Sequence, residues 1–374
     1  MAYTTINDPE KYFNTLLWTG TNNTDTKVGV GFAPDMVLLR LRSEDENWFL
    51  ADSTRGANKH LRVDSSDEEN DDALLTAFTS DGYTLHGGQT GANAKQVNGG
   101  LTSSLPTHGR TYIGFNWKAN GGTTVSNTSG TITTTVQANT TAGFSIVSYA
   151  GQASAGTIGH GLGAEPHLVI IKNKDASQSW HVYWKALGNQ GLNWIEVDNA
   201  ASSNSTTWNT TTPTSSVISL NGGGSYNGTN NSGSNYIAYC FAPIQGYSKM
   251  GYYKGNYNAN GPFVYTGFKP AWILIKTADS GNDWAVYNNK ASPYNPVNDH
   301  TKLNTEEAES ADYDMDFLSN GFKIRHAIHL TNSNTGSARM LYYAIAESPF
   351  VTSNGTPNNG TGATYTINQY SLDG

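Results

Sequence analysis

Apolar residues along this chain come in many short bursts, each walled off by Gly, Asn, Asp or Pro. That is the pattern of an all-β protein with many turns. One burst recurs inside a fixed phrase: "GFAPDMVLLRLRSEDENW" at 31–48, "GLGAEPHLVIIKNKDASQSW" at 161–180 and "GFKPAWILIKTADSGNDW" at 267–284. Anchored on Pro34, Pro166 and Pro270, a glycine lies three residues earlier at Gly31, Gly163 and Gly267. A basic residue lies six later (Arg40, Lys172, Lys276) and a tryptophan fourteen later (Trp48, Trp180, Trp284). Trp fills 9 of 374 positions, so three hits at one offset have a chance probability on the order of 10⁻⁵. The apolar run, 168–171 in the middle phrase, reads as a buried strand entered through a Gly/Pro turn. A polar loop over 173–179 then leads into a second strand at 180–184, making a hairpin with a long tip. The basic residue is expected to snorkel to the surface, and the tryptophan to anchor a core.

The match extends outward. Trp18-x-Gly20, Tyr149-x-Gly151 and Tyr253-x-Gly255 precede the three phrases. Each segment closes on a period-2 strand, "TYIGFNWKA", "NYIAYCFAP" or "MLYYAIAE". Large residues share one face (Ile113, Phe115, Trp117; Ile237, Tyr239, Phe241; Leu341, Tyr343, Ile345) and small ones the other, which predicts that the large face lines a core. The fold class expected is all-β, with three tandem, related antiparallel β-sandwich units, jelly-roll or lectin-like, carrying long polar loops. Their bounds are 1–119 with an N-terminal lead-in, 143–246 and 247–350, each the size of one small sandwich and too long for a solenoid coil. Residues 120–142 read as a polar linker with room for one Thr-rich strand. Residues 351–374 read as a C-terminal tail in which "ATYTINQY" could pair as an edge strand.

The net charge of −8 and the lack of a basic cluster argue against nucleic acid as a partner. No apolar run reaches 18 residues, so no helical membrane insertion is expected. The first residues, "MAYTTINDPEKYF", lack a basic stretch followed by an apolar block, so no signal peptide is expected. Cys240 is the only cysteine and sits on the small-residue face, which suits a packed, inert thiol.

No catalytic constellation emerges. Acidic runs at Glu44–Glu46, in "SSDEENDD" (65–72) and at 306–316 lie in polar stretches, and solvated loop faces are the expectation. A glycosidase would need two carboxylates at a set separation. Such loops could hold Ca²⁺ through oxygen ligands, but no EF-hand spacing is present. His326 and His329 fall on opposite faces of a strand, and His160, His167 and His181 cluster only in sequence, so no metal or cofactor site is expected. "GHGLG" leads into a β-run rather than the helix that a phosphate loop requires. Trp194, Trp208 and Tyr226, set among Asn, Ser and Thr, are the candidate ligand or interface residues, suited to sugar stacking or to a subunit contact.

Several phrases together, "NDPEKYFNTLLWTG", "DSTRGANKHLR", "SDGYTL", "YIGFNWKANGG", "TTAGFSIVSYAG" and "GHGLGAEPHLVIIKN", resemble a family of repeat modules in structural proteins of marine bacteriophages. The resemblance implies a virion component of the tail-fibre or minor structural kind, and carries over no catalytic residues. "DSTRG" has no counterpart in the last segment, where the acidic stretch stands. The expected function is therefore a non-enzymatic virion protein, a surface appendage (tail-fibre head, tail knob or head fibre) used in assembly or host adhesion. Its expected partners are other virion proteins and a host-surface glycan, and a closed homotrimer is the expected assembly. Rival readings are a capsid decoration protein, a carbohydrate-binding module and a polysaccharide depolymerase. The lack of a short-period β-helix counts against the last.

Overall fold

The computed structural model describes residues 4–87, 92–100, 109–203, 206–222, 228–327, 330–332 and 338–349. Tyr226, His329 and the tail 351–374 with its "ATYTINQY" lie outside these. The protein is all-β, with antiparallel sheets packed face to face and, among the described residues, one short α-helix, Ala92–Asn98.

One order of four neighbouring strands occurs three times. It runs Phe13–Thr19, Thr111–Trp117, Met36–Leu41, Phe49–Asp52 in a first section. In a middle section it runs Phe144–Ala150, Asn235–Phe241, Leu168–Asn173, His181–Trp184. In a last section it runs Ser248–Lys254, Arg339–Pro349, Phe268–Thr277, Ala285–Asn288. The registers coincide too. The residue two after each anchor proline lies opposite Trp117, Phe241 or Ile345, and these same residues face Phe13, Phe144 and Ser248. The glycine ahead of each proline has φ of +86°, +69° and +87° at Gly31, Gly163 and Gly267, a turn conformation that a side chain would strain. Pro270 sits at a register shift, where its missing N–H costs no ladder bond.

The large residues of the closing strands are buried as the alternation predicts, but not in separate cores. All nine join a single cluster with Trp48, Trp180 and Trp284, so the three sheets share one central core. An apolar cavity of about 50 Å³ remains among them, lined by Leu38, Leu168, Leu274 and Trp272 among others. The small-residue faces are buried as well, under outer layers that form a separate core for each section. In the first section the layer is Asp25–Val28, Gly82–Leu85 and Leu75–Thr79, and in the middle one Gly156–Gly159 and Val217–Leu220. In the last section Val297–Lys302, Ser310–Leu318, Gly321–Ile324 and Phe263–Tyr265 curl over from the main sheet itself. Small residues are needed because the layers press close: a Cβ on Gly114 would strike the Tyr83 hydroxyl.

Two expectations change here, and one feature was not foreseen. The linker holds two strands, not one: Val125–Asn127 and Thr134–Asn139, the latter pairing with Phe144–Ala150 to extend the middle sheet. The acidic stretch beyond Ser310 is a strand rather than a solvated loop, its carboxylates alternating with Tyr313, Met315 and Phe317 on the outer core. A recurrent asparagine went unseen. The side-chain Oδ1 of Asn98, Asn230 and Asn332 accepts the backbone N–H of Thr21, Gln152 and Asn256, each just after the aromatic-x-Gly glycine. Its distance to the closing strand differs in each section, so no fixed offset reveals it.

Candidate functional site

The sections meet in a ring, and the tryptophans make the joints. The Trp180 indole Nε1 donates to the carbonyls of Arg62 and Ser65 at 3.0 Å. Trp284 donates to Val197 O at 3.1 Å, and Trp48 to Lys302 O at 2.8 Å. First thus joins middle, middle joins last, and last joins first. Each tryptophan's backbone N–H is held by its own section's loop through Asp64, Glu196 or Asn304. All three side chains are 0% exposed.

The basic residues do not snorkel. Arg40, Lys172 and Lys276 are fully buried, because the strand that carries them ends at a joint rather than in solvent. Backbone carbonyls replace water around the cations, as buried charge requires. Arg40 donates to Glu46 O and Glu307 O, Lys276 to Asp198 O (2.8 Å) and Asn282 O (2.6 Å), and Lys172 to Asn173 O (2.7 Å). Arg40 and Lys276 also lie over the rings of Trp48 and Trp284, at 5.3 and 5.9 Å. Burial pushes Arg40 down to about 10 and both lysines down to about 8. The acidic loop at 306–309 is part of a joint too: Glu309 grips Arg42 with both carboxylate oxygens at 3.0 Å, and Glu46 N donates to Glu306 O.

The joints differ in what fills their outer side. Between first and middle sections, buried Arg55 pairs with Asp52 and Glu69, and the Tyr239 hydroxyl donates to Asp52. There the linker strand packs in as well, Gln137 donating to Ser53 Oγ and Thr54 Oγ1. The buried Asp35 carboxylate accepts the N–H groups of Ala119, Gly121 and Gly122. Between middle and last sections only residues 242–247 connect the strands, and a cleft of about 200 Å³ opens between His167, Trp184, Lys185, Ala186, Met250, Gly251 and Tyr252. Tyr252 is 52% exposed, while Trp184 is fully buried with its Nε1 lacking a partner among the described residues. Lys185 pairs with Glu165 at 2.7 Å, and burial lowers the His167 pKa. Across the turn Lys185–Leu187 lies a second, more polar cleft of about 240 Å³ bearing Asn189, Gln190, Ser202, Ser203 and Arg339. An exposed phenol face beside amides and hydroxyls can stack on one side of a neutral ring and hydrogen-bond its rim.

Gly31, Pro34, Gly163 and Pro166 sit in the turns that enter the shared sheets, Gly267 lies just ahead of the strand Phe268–Thr277, and Pro270 lies within that strand at its register shift. Of the candidate ligand residues, Trp208 is fully buried, bonded to Gly191 O at 2.9 Å and set edge-on to Tyr183. It is not an exposed stacking platform. Among the described residues the middle section's outer layer has two strands, and Trp208 packs into the same outer core. Trp194 is half-buried against that same outer core. Cys240 is fully buried, and burial pushes its thiol up to about 12. No group of three or more metal-binding side chains occurs among the described residues. The two clefts escaped the sequence reading because one joins residues 167–186 to 250–252 and the other joins residues 187–203 to Arg339.

No curated protein matches this chain. A single family model spans residues 8–349, all three sections and the connection between the first two. The chain belongs to the family described as "Domain of unknown function (DUF7483)".

Proposed function

We propose that the protein is a non-enzymatic structural component of a bacteriophage virion, a surface appendage such as a tail-fibre head, tail knob or head fibre. In this reading, residues 1–119, 143–246 and 247–350 are three copies of one jelly-roll- or lectin-like sandwich unit, with 120–142 as connector and 351–374 as tail. The observation that carries it is the ring of tryptophan joints. Three sheets locked around one core make a rigid platform, and only the loops outside the joints are free to vary for recognition. A catalyst would gain nothing from three copies of a packing device. Because the ring already closes within one chain, a homotrimer is not needed to complete it. Cryo-electron microscopy of intact particles with this chain labelled is expected to place it on an exposed tail or head projection. Absence from particles would end the reading, and a lattice position on the shell would favour a decoration protein.

A glycan-binding role is the second reading, supported by the cleft beside Tyr252 and the polar cleft across the turn Lys185–Leu187 rather than by Trp194, Trp208 and Tyr226. Host-surface oligosaccharides are then expected to bind saturably, with at least a tenfold loss of affinity in Tyr252→Ala. Equal binding by both proteins would remove this cleft as the site.

A further inference from the structure

The cleft beside Tyr252 has a filled counterpart at another joint. Lys185 N–H bonds to His167 O as Ser53 N–H bonds to Asp35 O, so Lys185 and Ala186 stand where the first section has Ser53 and Thr54. Met250 lies opposite Tyr343 and Tyr252 opposite Leu341, as Ile146 lies opposite Tyr239 and Ser148 opposite Ile237. Met250 and Tyr252 are thus the counterparts of Ile146 and Ser148. Between Ile146 and Ser53, at the first-to-middle joint, sits a carboxamide. It belongs to Gln137, which is opposite Ile146 and fully buried. Its Nε2 donates to Ser53 Oγ at 3.0 Å and to Thr54 Oγ1 at 2.7 Å, and its Oε1 accepts the Gly122 N–H at 3.0 Å. At the middle-to-last joint Lys185, Ala186 and Met250 line a cleft of about 200 Å³ in that place.

The exchanged side chains say what the cleft suits. Two hydroxyls that accept from an amide N–H give way to an ammonium that donates, on Lys185, and to a methyl, on Ala186. Met250 and Trp184 add apolar wall. Lys185 gives one contact to Glu165 and is 42% exposed, and an ammonium has three N–H donors. Burial lowers the His167 pKa, so near neutral pH its ring is uncharged and can accept an N–H. Tyr252, in place of Ser148, is 52% exposed and offers a ring face for stacking. The space equals roughly seven liquid waters at about 30 Å³ each, the size of one monosaccharide. Glu165 beside Lys185 disfavours a second carboxylate, so the sugar is neutral.

We propose that this cleft takes a neutral 2-acetamido sugar. The acetamido oxygen accepts from Lys185 Nζ, the methyl packs on Ala186 and Met250, and the pyranose ring stacks on Tyr252. The inference rests on the glycan-binding reading. Full-length protein is titrated with the methyl glycosides of N-acetylglucosamine and N-acetylgalactosamine, and with those of glucose and galactose, by saturation-transfer NMR. At least one acetamido glycoside is expected to bind about tenfold or more tighter than its hydroxyl counterpart, with the strongest transfer to the acetyl methyl. Lys185→Met should erase that preference, while Tyr252→Ala should weaken both sugars of the pair together. Binding without preference for the acetamido sugar overturns the proposal and leaves the glycan reading standing. Binding of none of the four overturns it as well, and the glycan reading then turns on the host-surface oligosaccharides. A preference that survives Lys185→Met, or equal affinity for N-acetyl-lysine amide, also overturns it.

Discussion

The joint between the first and middle sections and the joint between the middle and last are made by the same bond, an indole N–H on a neighbour's carbonyl. Their surroundings have little else in common. The first is sealed by a buried ion cluster around Arg55 and by a strand with Gln137 at its centre. The second is spanned by six residues and stays open beside Tyr252. The difference teaches that the tryptophan contact sets the geometry, and that the outer side of a joint is where this chain varies its chemistry.

The largest expected effect tests what the joints have in common. Trp48→Ala, Trp180→Ala and Trp284→Ala should each cost about 3–5 kcal/mol, read as a shift in denaturant midpoint. Because the core is shared, each variant should still unfold in one transition. Loss of only one section, with the other two intact, would refute a common core. Next comes the difference between joints. Arg55→Met strands Asp52 and should cost at least about 3 kcal/mol. Lys185→Met at the open joint, where the Glu165 pair is partly exposed, should cost under about 1 kcal/mol. Equal costs would erase the contrast.

Acid should weaken the molecule in a definite window. Burial depresses His60 to about 3, and His181 and His326 to about 4. At these three sites the folded state therefore binds fewer protons than the unfolded chain below pH 6.5, and their contribution to stability falls as pH drops from 6.5 towards 4. His60→Phe, at a ring stacked on Phe49 with neither nitrogen partnered among the described residues, should flatten part of that slope. An unchanged slope in His60→Phe would contradict the burial of that ring as the source. Buried Lys172 and Lys276 act in the alkaline window: the unfolded chain holds more protons between pH 8 and 10.5, so they add stability as pH rises through it. Smallest of all, Tyr252→Ala should change stability by less than about 0.5 kcal/mol, since the ring is half in solvent. A larger loss would make the cleft wall structural rather than a place for a ligand.

Sequence pattern alone determined the strands of the recurring phrase, the glycine ahead of each, the inward faces of the closing strands and the burial of the three tryptophans. Each of these is a local or period-2 property, and three parallel phrases made chance improbable. It could not reveal that the large faces meet in one core, because a face's polarity says that it is buried and not against what. For the same reason Arg40, Lys172 and Lys276 look like surface residues in sequence. Arg40 and Lys276 find carbonyl partners, Glu307 and Asp198, in another section, Lys172 finds Asn173 and Ala176 in its own loop, and a backbone carbonyl leaves no mark in residue identity. Trp208 misleads in the opposite sense, its polar neighbours suggesting exposure while it packs into the outer core and bonds to Gly191 O. Only the tertiary structure, by closing three sections on one another, decided which charges are buried, which joint is sealed and which cleft stands open.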